Sequence, residues 1–126
     1  MTIQEAIAEA NSLSNNLIDE ALKIKWLSEL DGRIYYEIIA PNAKSGAFKE
    51  YTQNTPSDTE LIVPHPWDSL YVSYLEMEIA RVSADNVRYA NSRILFNDRY
   101  GAFSSWYVRT HKDDSSPNIS FPVRRY

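Results

Sequence analysis

The 126-residue sequence predicts an all-α fold of four helices, with an irregular or β-hairpin insertion between the second and third and an extended C-terminal tail. Three observations carry this expectation. Apolar residues recur every three to four positions in four stretches, helix-initiating side chains precede them, and a segment rich in Pro, Gly, Asn, Ser and Thr at 41–64 parts the front pair from the back pair. The helical domain is placed at 1–111 and the tail, as a C-terminal arm, at 112–126.

Thr2 with Glu5 three residues later forms a capping box, and Ile3, Ala6, Ile7 and Ala10 follow at helical spacing. The Asn- and Ser-rich stretch 11–16 competes with the helical backbone for hydrogen bonds and should end this first helix. Asp19 caps the second. Leu22, Trp26, Leu27, Leu30, Ile34 and Ile38 trace its apolar stripe, while Glu20, Lys23, Glu29, Arg33 and Glu37 fall mostly on the polar side. Asp31-Gly32 favours a turn, yet the spacing runs through it without a phase shift. One helix with Gly32 at a close packing contact is therefore favoured, with a hairpin as the alternative, and Pro41 ends it. The segment 41–64 offers two candidate strands, 47–52 and 60–63, and either a small hairpin or a mobile loop would suit it.

Pro64-His65-Pro66-Trp67-Asp68 announces a third helix, with proline near its first turn and an acid against the positive end of its dipole. Leu70, Tyr71, Tyr74, Leu75, Glu78, Ile79 and Val82 follow at the helical period. A fourth helix starts at Ser83 or Asp85 and extends to about His111. Its apolar residues, among them Val87, Ala90, Ile94, Leu95, Phe96, Phe103 and Trp106, cover more than half its circumference. Such a helix is either the central element or touches something beyond its own domain. Trp26, Leu30, Ile34, Tyr74, Ile94, Phe103 and Trp106 are the residues expected to pack the helices together. Residues 118–126 alternate apolar and polar side chains, which fits an extended arm, with a disordered terminus as the ordinary alternative.

Composition narrows the functional classes. A net charge of -4, with 44% hydrophobic and 24% charged residues, is that of an ordinary globular chain, long enough for one continuous core. No apolar run approaches the roughly 20 residues that span a bilayer. The first residues carry neither a basic segment nor an apolar signal core, so the protein is expected to stay where it is made. Cysteine is absent, which excludes disulfides, thiol catalysis and cysteine-held metals. Aromatics reach 13%, with nine Tyr, a bias that suits interfaces and equally suits a small core filled by large rings.

Chemistry finds little to work with. Gly32, Gly46 and Gly101 cannot compose a phosphate-cradling loop. Glu76 and Glu78 point to different faces of a helix, and His65 and His111 sit in no nucleophile motif, so no catalytic residue, metal site or cofactor is expected. Glu78 stands on an apolar stripe, where it would be a buried acid with a raised pKa or one satisfied by an Arg or Tyr of the neighbouring helix. Arg81, Arg88, Arg93, Arg99, Arg109 and Lys112 make the back half locally basic. That suits subunit contacts or nucleic acid. The stretch 78–88 has the outline of a helix-turn-helix but lacks the turn glycine, and rings occupy its presumptive recognition face.

The runs Lys25-Trp26-Leu27-Ser28-Glu29-Leu30-Asp31-Gly32-Arg33-Ile34-Tyr35 and Glu60-Leu61-Ile62-Val63-Pro64-His65-Pro66-Trp67-Asp68-Ser69-Leu70-Tyr71-Val72-Ser73-Tyr74-Leu75 lead in the same order to Arg88-Tyr89-Ala90-Asn91-Ser92, Phe96-Asn97, Ala102-Phe103 and Trp106-Tyr107. Over residues 2–111 this pattern resembles the head-tail connector (adaptor) proteins of tailed phages and prophages. Arg81-Val82-Ser83-Ala84 departs from it, standing where relatives tend to have a glycine-containing turn.

The resemblance implies a structural virion protein without enzymatic activity. It would join copies of itself in a ring, as a monomer before assembly, dock on the portal protein below the capsid, meet a tail-side connector, and handle DNA only as cargo in the channel. It would be found in the virion, and in the host cytoplasm during assembly, with no membrane partner. Phe48, Tyr51, Phe121, Arg124, Arg125 and Tyr126 are the expected interface residues, being aromatic or arginine in segments that cannot bury them locally. The alternative is a small DNA-binding or DNA-packaging accessory protein using residues 81–99. An enzyme with a carboxylate site at Glu78 is a third.

Overall fold

The computed structural model describes residues 1–42 and 46–115, apart from the side chains of Asn42 and residues 112–115. The fold is all-α. Four principal helices, α1 (Ile3–Leu13), α2 (Glu20–Ile34), α3 (Ser69–Val82) and α4 (Asn86–Ser115), pack around one core.

The capping box opens α1 as expected: the Glu5 N–H donates to Thr2 Oγ1 at 3.1 Å and the Thr2 N–H to Glu5 Oε1 at 2.9 Å. Asp19 caps α2 through the Ala21 N–H. The hairpin alternative at Asp31-Gly32 is excluded, because α2 passes through both residues without a break. Gly32 does lie under the Phe48 ring, although a Cβ there would meet that ring at 3.5 Å, an ordinary contact, so the packing does not demand glycine.

Beyond Ile34 the helix widens into a π-helical turn, Tyr35–Ile39, and closes with one short turn, Ala40–Asn42. The wide turn stands directly ahead of Pro41, which offers no N–H and whose ring would collide with the carbonyl four residues back in a regular α-turn. Helical structure thus runs one residue past Pro41.

The segment 46–68 is irregular, and among the described residues neither candidate strand forms. Its return leg meets a helix start instead of a second strand. Thr2 and Glu60 make an isolated antiparallel bridge. The Ile3 and Gln4 N–H groups, free donors of the first turn of α1, bond the Thr59 and Ser57 carbonyls at 3.0 Å. The stretch 47–52 lies along α2, where the Tyr51 N–H donates to Ser28 Oγ at 2.9 Å.

Pro64 and Pro66 sit in the turn ahead of α3, outside its first turn, and the His65-Pro66 peptide is cis. The Trp67 N–H bonds the Pro64 carbonyl at 2.9 Å, and Asp68 occupies the N-cap position without a side-chain capping bond. Its carboxylate faces His65 Nδ1 at 3.5 Å.

Three residues link α3 to α4. Here lies the departure from the resemblance pattern, and Ala84 takes the left-handed conformation that a glycine would hold without strain, at φ 59°. The Asp85 N–H reaches the Ala80 carbonyl at 2.9 Å and the Ala84 N–H that of Arg81, the two bonds of a Schellman closure. Asp85 then caps α4 by accepting from the Arg88 N–H at 3.1 Å.

Ile3 and Ile7 of α1, Trp26, Leu27, Leu30 and Ile34 of α2, Leu70, Tyr71, Leu75 and Ile79 of α3, and Phe96 and Phe103 of α4 are buried together, with Leu61 and Val63 of the connecting segment. Each large side chain removed from water in this way contributes roughly 1.5–3 kcal/mol.

Candidate interface and its buried support

The connecting segment is held by a carboxylate. Asp31 is 0% exposed, in the core stripe of α2. Its Oδ2 accepts from the Tyr51 hydroxyl at 2.6 Å and the Ile62 N–H at 3.1 Å, and its Oδ1 accepts from the Tyr71 hydroxyl at 2.6 Å. Tyr71 in turn accepts from the Val63 N–H at 2.8 Å. One carboxylate of α2 therefore fixes both ends of the segment and a ring of α3. Burial holds the Asp31 carboxyl above its ordinary range, while the donors from Tyr51, Tyr71 and Ile62 pull it back. Burial and the neighbouring Asp31 charge push both tyrosine hydroxyls far up, so they remain donors.

Glu78, the acid singled out from the sequence, is not a buried acid awaiting a partner. Arg81, one turn along the same helix, takes its Oε1 at 2.8 and 3.1 Å. Asp31 carried the same signal, an acid among the apolar positions Leu27, Leu30 and Ile34, but its pairing with Gly32 drew attention to a turn.

Two of the expected interface residues, Phe48 and Tyr51, lie in this region, and the premise that they cannot be buried locally is corrected. Both are half-buried. Phe48 packs edge-on to Tyr51 with ring centroids 5.4 Å apart and lies near Tyr35. They form one wall of an open groove of about 540 Å³ that Lys25, Glu29, Tyr36 and Glu50 also line. The Tyr35 hydroxyl donates to the Gly46 carbonyl at the start of the segment. Phe121, Arg124, Arg125 and Tyr126 lie outside the described residues.

Of the seven expected packing residues, Trp26, Leu30, Ile34 and Phe103 are buried, and Tyr74 and Trp106 are partly buried against the core. Trp106 stacks on Trp67 with centroids 5.5 Å apart. Ile94 is the correction, at 69% exposed. The long helix buries a narrow stripe, Ser92, Phe96 and Phe103, flanked by Tyr100, Trp106 and Tyr107. Ile94 stands on the opposite side with Val87 and Val108, which are 74% and 42% exposed, and Leu95, on the flank between that side and the buried stripe, is 41% exposed.

Most arginines of 81–99 are engaged within the chain. Arg81 is held by Glu78, Arg88 by Ser14 Oγ at 2.6 Å and by Asp85, and Arg99 by Ser73 Oγ and the Ser69 carbonyl. Among the described residues no group of three His, Cys, Asp or Glu is gathered as a metal ion would require, and no helix is long and apolar enough to cross a membrane.

Comparison with protein-family models, with curated proteins and with solved structures finds no match for this chain.

Proposed function

We propose that the chain is a structural subunit of a tailed-phage or prophage virion, a head-tail connector that docks on the portal, assembles with its own copies into a ring and extends the channel through which DNA leaves. The ordered likeness of residues 2–111 to that family carries the reading. The uncovered side of α4 supports it. A ring subunit needs apolar surface beyond its own core, and α4 leaves Val87, Ile94, Leu95 and Val108 in solvent. A tail-side connector is the third partner in this reading, DNA passes only as cargo, and the protein works in the virion after assembly in the host cytoplasm.

Electron microscopy of purified portal rings mixed with the protein tests the proposal. Added density on one face of the portal supports it, and bare portal rings at saturating protein contradict it. A low-salt titration with duplex DNA covers the accessory-protein alternative, for which salt-sensitive binding that is lost on Arg93→Ala would speak.

A further inference from the structure

The outward face of α4 repeats in sevens. Val87, Ile94, Gly101 and Val108 recur at that interval, all exposed, with Ala90, Asn97 and the half-buried Ser104 three residues after the first three. In heptad terms these are a and d positions, and they lie away from the stripe of Ser92, Phe96 and Phe103 that α4 gives to its own core. The helix thus carries two seams, and among the described residues only one is used within the chain.

We infer that the second seam is covered by a second copy of this chain, with the two α4 helices side by side and parallel. Charge decides the occupant and its direction. Arg93 and Asp98 flank the seam at g and e positions, both are exposed, and neither has an ion-pair partner among the described residues. In a parallel pair, a g side chain faces the e position of the next heptad of the partner, which sets Arg93 of each copy against Asp98 of the other. An antiparallel pair that matches Val87 with Val108 would instead bring the two Asp98 carboxylates together on one flank. Asn97, at a d position inside the seam, is polar and lowers the stability of the pair. Gly101 and Ala90 let the backbones approach. With three large apolar side chains per copy the pair is expected to be weak.

This inference stands on α4 alone and does not rest on the portal reading. A two-fold pair closes on itself, so it describes the free protein, in place of the monomer expected before assembly, and the pair would have to part for the same face to serve in a ring.

The absence of native cysteine makes the test direct. Sedimentation equilibrium should show a monomer-dimer equilibrium. Ile94→Cys, at an exposed site that leaves the fold intact by circular dichroism, should form a disulfide-linked dimer with itself under mild oxidation, while Glu9→Cys on α1 should not. Arg93→Glu should weaken the dimer by about tenfold, and adding Asp98→Arg should restore it. A monomer at every concentration to the millimolar range overturns the inference. So does cross-linking of Ile94→Cys to Gly101→Cys in a mixed sample without self-linking of Ile94→Cys, the signature of an antiparallel pair.

Discussion

The Tyr71 hydroxyl of α3 donates to the Asp31 carboxylate of α2 at 2.6 Å and accepts from the Val63 backbone N–H at 2.8 Å, so one buried phenol joins two helices to the segment between them. Tyr51 completes the arrangement from the other end of that segment. The irregular connection carries backbone donors into the core at Ile62 and Val63, and Asp31 and Tyr71 are their acceptors.

Removing the acceptor should therefore be severe. Asp31→Ala strands the Tyr51 and Tyr71 hydroxyls and the Ile62 N–H, and is expected to destabilise the domain by about 3–5 kcal/mol. Tyr71→Phe strands the Val63 N–H and is expected to lose about 1–3 kcal/mol. Urea denaturation measures both; losses near zero would mean that the network does not hold the segment.

The same carboxylate sets a pH dependence. Its folded pKa lies above the ordinary 3.8, chiefly through burial, so the folded state binds the proton more tightly than the unfolded chain. The Asp31 contribution to stability is then fully present below the unfolded value and is lost as pH rises through the raised folded value. Relative to Asp31→Asn, which does not titrate, the wild type should lose stability as pH rises above the ordinary carboxylate range. Parallel denaturation series of the two proteins measure this, and a wild type that gains on the variant with rising pH would reverse the sign.

Ala84 holds a left-handed backbone at φ 59° to close α3 and start α4. A β-carbon is strained there and glycine is not, so Ala84→Gly should stabilise the domain by about 0.5–1 kcal/mol even though the unfolded chain gains freedom. The thermal midpoint reports it. A lower midpoint would show that the turn tolerates the side chain.

Gly32 presents the opposite case. It lies mid-helix, and an added Cβ would rest against Phe48 at 3.5 Å without a clash. Gly32→Ala should stabilise by about 0.5–1 kcal/mol through helix propensity, measured by urea denaturation. Destabilisation would mean that Phe48 cannot give way.

What the sequence made legible follows the range of its signals. The Thr2 and Glu5 box and the Asp19 cap act within one helical turn, and both stand where their patterns place them. The stripe of α2 was continuous enough to outweigh the Asp31-Gly32 turn signal. Non-local partners were harder. Residues 60–63 read as strand because their apolar pattern suits one, but the element they meet is the first turn of α1. Ile94 read as core because apolar residues surround α4 on both sides, and nothing in the spacing says which side the rest of the chain covers. Within the candidate interface, Phe48 and Tyr51 were visible as aromatics, while the carboxylate beneath them depends on a contact across 20 residues.

The measurement that most directly tests the connector reading is the mass of portal protein by light scattering as this protein is added. Each portal ring should gain several copies at saturation, with free protein seen only beyond that point. A portal mass unchanged at every concentration would contradict it.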